Sequence, residues 1–427
     1  MKKLSLFISA ILLMCLIFPA SAAVTNSYTA VNTETVNLRW SEKFGTSYRD
    51  APGVPAVCGD NIIILSGNTI YKLDKTNGSV ISTAQLSSTV GFGYIPPLYE
   101  DGILYCALDN SVIEAYDLDT MARLWTYADE TDGQSLAPIV YDEGCIYTGF
   151  WYDEETAGNF VCLNALTGEK IWSFSHLGGF YWAGCAVCGD YLVLGGDDGT
   201  YDYESQSNVY CLNKLTGEVT DSLEIVGDQR SSVVYDENTE SFYFTTKAGY
   251  LYSVKMADGV LYDLQTVNLG GSSTSTPVIY NNCVYVGVQG SLYSGYVLCV
   301  DLTDFTVKYT AEMPGYPQTE LVLREVGDTL YVYAVCNNST GGIVFFTEKN
   351  GAQASDAEYL FTPPSGQTGY SVSRLIVDED GTFYYKNDSC YVFAVENSAA
   401  EPINFINRLL QFFNKILAVL DRVYSTL

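Results

Sequence analysis

Aromatic rings and carboxylates interleave in three stretches of the chain, FWYDEETAGN (150–159), SHLGGFYWAG (175–184) and DDGTYDYESQS (197–207). Ring faces stack on the CH groups of a sugar or anchor a protein side chain, while carboxylate oxygens accept hydroxyl and amide hydrogens. The candidate ligand-binding residues are therefore Trp151, Tyr152, Asp153, Glu154, His176, Tyr181, Trp182, Tyr201, Asp202 and Tyr203. A plainer reading stands beside this one: the rings pad loops above a core, and the acids keep the surface solvated.

Asp197, Asp198 and Asp202 add hard oxygen ligands of the kind calcium takes, although the order of an EF-hand loop is not met. Acid pairs at about 5 to 9.5 Å serve glycoside hydrolysis, but nothing marks any pair here as special. His176 is the only histidine, which removes most histidine zinc sites and most acid–base chemistry at neutral pH. No Gly-x-Ser-x-Gly elbow accompanies it. No catalytic residue is singled out, and no cofactor is expected beyond a calcium ion. The 427 residues carry 50 acids against 21 bases, a net charge of −29, so a nucleic-acid partner is excluded.

What positions these residues is a repeat. A unit recurs eight times: an apolar run into an acidic turn, as in PAVCGDNIIIL (55–65) and PIVYDEGCIYTG (138–149), then two further strands, a Thr-Gly-type turn and a fourth strand. A mostly small residue in the third strand anchors the alignment at Lys72, Ala115, Cys162, Cys211, Ser253, Cys299, Phe345 and Ala394. The spacings, 42 to 49 residues, with four short strands per unit, predict an all-β, eight-bladed β-propeller over 33–397. The eighth unit stops after three strands, and VNLRWSEKFG (36–45) reads as an orphan fourth strand. Strand 36–44 is therefore expected to pair with the last unit and close the ring, removing two free sheet edges. Within a blade the strands alternate in direction, so the second-to-third loops and the links between blades share one face. The stretches singled out above fall on that face, in units three and four.

The turn sequences AYDLDTMARLW (115–125) and CLNALTGEKIW (162–172) resemble the pyrroloquinoline-quinone-type (PQQ-like) propeller repeat, Ala-x-Asp-x-x-Thr-Gly-x-x-x-Trp. Ala115, Asp117, Thr120 and Trp125 match with Met121 in place of Gly; Asn164, Thr167, Gly168 and Trp172 match with Cys162 in place of Ala. The resemblance implies that each tryptophan stacks across the blade interface over a small residue of its neighbour. It also implies two kinds of function. The family's quinone enzymes are longer chains with a vicinal cysteine pair, which this sequence lacks, so bound quinone is disfavoured. Nearest in kind is the non-enzymatic propeller of the outer-membrane barrel-assembly lipoprotein, which presents loops to partners.

The ends extend the reading. Residues 1–22 have the charged start, apolar stretch and small-residue site of a signal peptide, which implies an exported protein, secreted or at the cell surface. Residues 402–427 hold a seven-residue apolar repeat (Ile406, Phe413, Leu420, Leu427) beside a basic row (Arg408, Lys415, Arg422), the pattern of an amphipathic α-helix of roughly 37 Å. Such a helix would dock on the body, self-associate or lie on a membrane surface. The cysteines, 12 in all, sit mostly at equivalent positions of separate blades, too far apart to pair, so buried free thiols are expected. The reading that results is a non-catalytic propeller binding a glycan or protein on its loop-rich face. The alternative is an extracellular quinone-dependent or carbohydrate-active enzyme.

Overall fold

The computed structural model describes residues 35–47, 50–91, 93, 95–291 and 294–397. Both the signal-type segment 1–22 and the heptad segment 402–427 lie outside the described residues. The described chain is all strand, turn and loop, arranged as eight separate antiparallel sheets. Blades 1 to 6 each take four consecutive strands, beginning at Ala56, Leu98, Val140, Ala186, Val234 and Val278. In blade 7, two short segments, Ala352–Gln353 and Glu358–Phe361, both pair with the third strand Ile343–Lys349 in place of one fourth strand.

Blade 8 closes the ring as the orphan strand required. Its own strands, Ile376–Val377, Phe383–Lys386 and Tyr391–Asn397, are completed by Val36–Lys43, with Trp40 opposite Ala394 and Glu42 opposite Val392. Arg39 binds Glu396 at 2.7 Å across this seam. The hydrophobic core lies between blades rather than within them. Trp40, Tyr384 and Val392 of blade 8 pack with Ile62, Ile64 and Leu73 of blade 1, and a comparable cluster fills each of the other seven interfaces. Every sheet therefore buries both faces, which is why second and third strands read as near-continuous apolar runs while fourth strands alternate.

The repeat turn explains itself locally. Asn164 Oδ1 accepts the Leu166 and Thr167 amides, and Asn213 does the same for Leu215 and Thr216, so the side chain builds the turn. Gly168 and Gly217 follow in the left-handed region, at φ +70° and +73°. The stacking expected of the tryptophans needs correction. Each lies opposite the small anchor of its own blade (Trp125 with Ala115, Trp172 with Cys162), and what its indole covers in the next blade is the turn glycine. Trp125 covers Gly168 and donates to the Ala165 carbonyl at 3.0 Å; Trp172 covers Gly217 and donates to Lys214 at 2.9 Å. A side chain at either glycine would collide with the ring.

Candidate functional site

Blade 3 ends its second strand at Gly149 and resumes at Ala157; blade 4 breaks from Gly195 to Gln206. These two long loops, with the links 178–185 and 227–233 that enter blades 4 and 5, build one edge of the loop-rich face. Beneath them is an ion cluster that the sequence reading did not contain. The Arg230 guanidinium donates to both oxygens of Glu154 (2.7 and 2.8 Å), to both of Asp197 (2.7 and 3.2 Å), and lies 3.0 Å from Asp228. All four side chains are buried. Tyr181 and Tyr203 cover the guanidinium, their ring centres 4.5 and 5.1 Å away, and the Lys247 ammonium sits over the outer side of Tyr203 at 5.0 Å.

Three carboxylates around one arginine leave the dry cluster with surplus negative charge. Burial pushes Asp228 up to about 7 against the pull of Arg230, and pushes Asp197 well above the usual carboxylate range. These shifts belong to the interacting set rather than to one side chain. Glu154, Asp197 and Asp228 also have the mutual spacing of cation ligands, with the guanidinium held among them.

The structure divides the candidate residues into three groups. Glu154, Tyr181 and Tyr203 belong to the arginine cluster. Tyr152 and Tyr201 stand outward, 53% and 60% exposed, with Asp153, Glu155 and Asp202 around them. Trp151 and Trp182 flank Tyr181, each with its ring centre 4.9 Å from it. His176 joins none of the three: it packs among Phe174, Phe180 and Tyr210 between blades 3 and 4, where burial lowers its pKa and favours the neutral ring. The three aspartates considered for calcium do not converge. Asp197 faces Arg230, whereas Asp198 and Asp202 accept from Thr200, Glu204 and Ser205 and shape the loop. Asp228, Arg230 and Lys247 were missed because they sit in plain linker sequence (GDQR, 227–230, and the turn at 247). Only the rarity of an arginine in so acidic a chain could have drawn attention to them.

From this cluster the surface dips to the mouth of the central channel. A cavity of about 90 Å³ opens there, apolar on one side (Ile95, Pro96, Pro138) and polar on the other (Ser232, Thr274, Gln318). Trp182 overhangs it from the left-handed region, φ +59°, a backbone conformation held only where surrounding contacts fix it. Arg374 and Glu320 form an ion pair in the wall.

With this geometry in place, the likeness to known proteins is informative. A family model described as outer membrane protein assembly factor BamB matches residues 25–179, the closing strand and blades 1 to 3. The quinohemoprotein alcohol dehydrogenase of Comamonas testosteroni is 28% identical over 116 residues, 24% of this chain and 16% of its own length. This chain covers only 11 to 16% of the curated relatives it matches. Among solved structures, BamB from Moraxella catarrhalis superposes with a TM-score of 0.60 at 14% identity, over 85% of this chain and 100% of that one. A quinohemoprotein alcohol dehydrogenase from Pseudomonas putida HK5 reaches 0.64 at 13% identity, over 89% and 79%. Fold and repeat together define a PQQ-like β-propeller. Its likeness in sequence to the assembly factor runs through the first three blades, and its likeness in fold extends equally to a dehydrogenase, so fold by itself does not choose the activity.

Proposed function

We propose that this protein is an exported, non-catalytic propeller that binds a protein partner through the edge of the loop-rich face formed by blades 3 and 4. The observation that carries the reading is the pairing of exposed Tyr152 and Tyr201 with the buried Arg230 cluster directly beneath their loops. Tyrosines on an immobilised base lose little entropy on binding, which is the usual composition of an interface hot spot. The acids around them, Asp153, Glu155 and Asp202, favour a partner segment carrying Lys or Arg next to an apolar side chain. The assembly-factor match supports the protein-partner reading. A glycan ligand is the less favoured version, because the two tryptophans best suited to stack on sugars are partly buried against Tyr181. Export rests on residues 1–22, and the heptad segment 402–427 would tether or self-associate the molecule.

The enzyme reading draws on the dehydrogenase likeness. Against it stands the cavity at the channel mouth, smaller than the roughly 150 Å³ that admits one benzene, whereas the quinone is a fused tricycle with three carboxylates. The arginines there are also already engaged by Glu154, Asp197, Asp228 and Glu320. Peptide and glycan arrays probed with the intact chain and with Tyr152→Ala/Tyr201→Ala test the proposal. Binding to basic-apolar peptides that the double variant loses is the expected result. Alcohol oxidation with a dye acceptor in the presence of quinone and calcium would overturn it, as would binding that the variant retains.

A further inference from the structure

Blade 6 holds two cysteines on neighbouring strands. Cys283 opens the second strand, Cys283–Gln289, and Cys299 lies in the third, Gly295–Asp301. The register sets Cys283 opposite Asp301 and Tyr285 opposite Cys299, so the thiols are diagonal neighbours on one face of the sheet. Both lie in the buried cluster between blades 6 and 7, close enough to influence each other electrostatically. The Lys308 ammonium, on the fourth strand, lies 3.7 Å from the Cys283 sulfur and 3.6 Å from Asp301. From blade 7, Glu348 faces the same spot and accepts the Tyr285 and Tyr309 hydroxyls at 2.8 and 2.6 Å. The neighbouring Cys299 thiol and the Lys308 ammonium lower the Cys283 thiol against the opposing effect of burial, while Cys299 is pushed up.

Blade 3 contains the same arrangement without the cation. Cys145 stands opposite Asn164 and Cys162 opposite Tyr147, again a diagonal pair. The residue equivalent to Lys308, next to the fourth-strand partner of the inner cysteine, is Ile171. One molecule therefore carries two dithiols of matching geometry, one served by an ammonium group and one not.

We propose that Cys283 and Cys299 are a peroxide-reactive thiol pair that closes into a disulfide within blade 6, with Cys283 the attacking thiol and Lys308 its activator. Cys283 thiolate attacks one oxygen of hydrogen peroxide, the O–O bond breaks, and after protonation water leaves with Cys283 as sulfenic acid. The Cys299 sulfur then attacks the sulfenic sulfur and loses its proton, the S–O bond breaks, and a second water departs. Two thiols are oxidised by two electrons and one peroxide is reduced. Peroxide suits the site because Cys283 is only 3% exposed, and a larger oxidant would have to displace Lys308. The two sulfurs must still draw together to about 2.05 Å, which requires movement at Cys283, the first residue of its strand.

The experiment treats the intact protein with hydrogen peroxide at pH 7, blocks residual thiols and maps peptides without reduction. The Cys283–Cys299 link is expected to form first, with Cys145 and Cys162 still reduced. Lys308→Met is expected to slow the reaction roughly tenfold at pH 7, in line with the smaller thiolate fraction. Cys299→Ala, which places here the residue found in blades 2 and 8, removes both the resolving thiol and one of the two groups that lower Cys283, and is expected to give, more slowly, a sulfenic acid on Cys283 that a cyclic diketone traps. The proposal is overturned if Cys283 goes to a higher oxide without bridging, if Cys145 and Cys162 bridge equally fast, or if neither pair reacts.

Discussion

The Lys72 ammonium donates to the Leu118 carbonyl at 3.0 Å. Leu118 occupies the turn position at which Lys75, Ala165 and Lys214 accept an indole N–H from Trp40, Trp125 and Trp172 of the preceding blade. Blade 1 has no tryptophan for this purpose; Ser82 stands opposite Lys72 in its place. A lysine at an anchor position that is otherwise mostly small therefore rebuilds the contact between blades 1 and 2. It also frees the facing turn from needing glycine: Met121 sits there at φ +58° with no indole above it.

Lys72→Ala should thus destabilise the protein by about 1.5–3 kcal/mol, as expected for a charge-assisted hydrogen bond lost from a covered interface. Adding Ser82→Trp and Met121→Gly should restore much of the loss by converting the interface to the form used at Trp172 and Gly217. Thermal unfolding of the single and triple variants decides this; a triple variant weaker than Lys72→Ala would refute the substitution logic.

Arg230→Met should cost about 3–5 kcal/mol, because it leaves three buried carboxylates facing one another without their counter-ion. The loss should be concentrated in the two loops it ties down, 150–156 and 196–205. Hydrogen exchange should show those loops opening before the blade sheets do. Uniform loss across all blades would contradict this.

Stability should fall as pH rises from about 5 to 8. Folding raises Asp228 to about 7, so the folded chain keeps a proton that the unfolded chain gives up at the ordinary carboxylate pKa. The stabilisation is fully present below that ordinary value and is lost as pH passes through 7, at no more than about 1.4 kcal/mol per pH unit for one proton. Asp228→Asn keeps the oxygen that accepts the Asp198 amide and should flatten the profile. An unchanged slope in the variant would assign the proton elsewhere.

A chain beginning at Phe44 should aggregate more readily than the intact chain. Without Val36–Lys43, the strand Tyr391–Asn397 presents a free edge, and the cluster holding Ile62, Tyr384 and Val392 loses Trp40. Light scattering on the shortened chain should show larger aggregates than on the intact chain; equal size distributions would count against closure as what protects the edge.

Much of the fold was legible because repeat proteins state their rules many times over. Eight recurrences of one strand unit gave the blade count, and a unit short of one strand at one end, with a strand spare at the other, gave the closure. The candidate site was legible only in outline. Tyr152 and Tyr201 were found because exposed aromatics in long loops stand out, and both do face solvent. Glu154 and Asp197 were found too, yet as surface acids rather than as two walls of an arginine cage. His176 was grouped with them by proximity in sequence, whereas its ring packs with Phe174 and Tyr210.

Local patterns determined everything that depends on neighbours in sequence: strand periodicity, the Asn- and Asp-built turns, and glycines in the left-handed region. Tertiary structure alone decided which charges meet, since Glu154 reaches Arg230 across 76 residues and Cys283 meets Cys299 only once the register of two strands is set. The reason is physical. A turn is stabilised by bonds within a few residues, so its sequence must carry them, whereas a buried ion cluster or thiol pair is assembled by blade packing and strand register from segments that individually look like ordinary loop and strand.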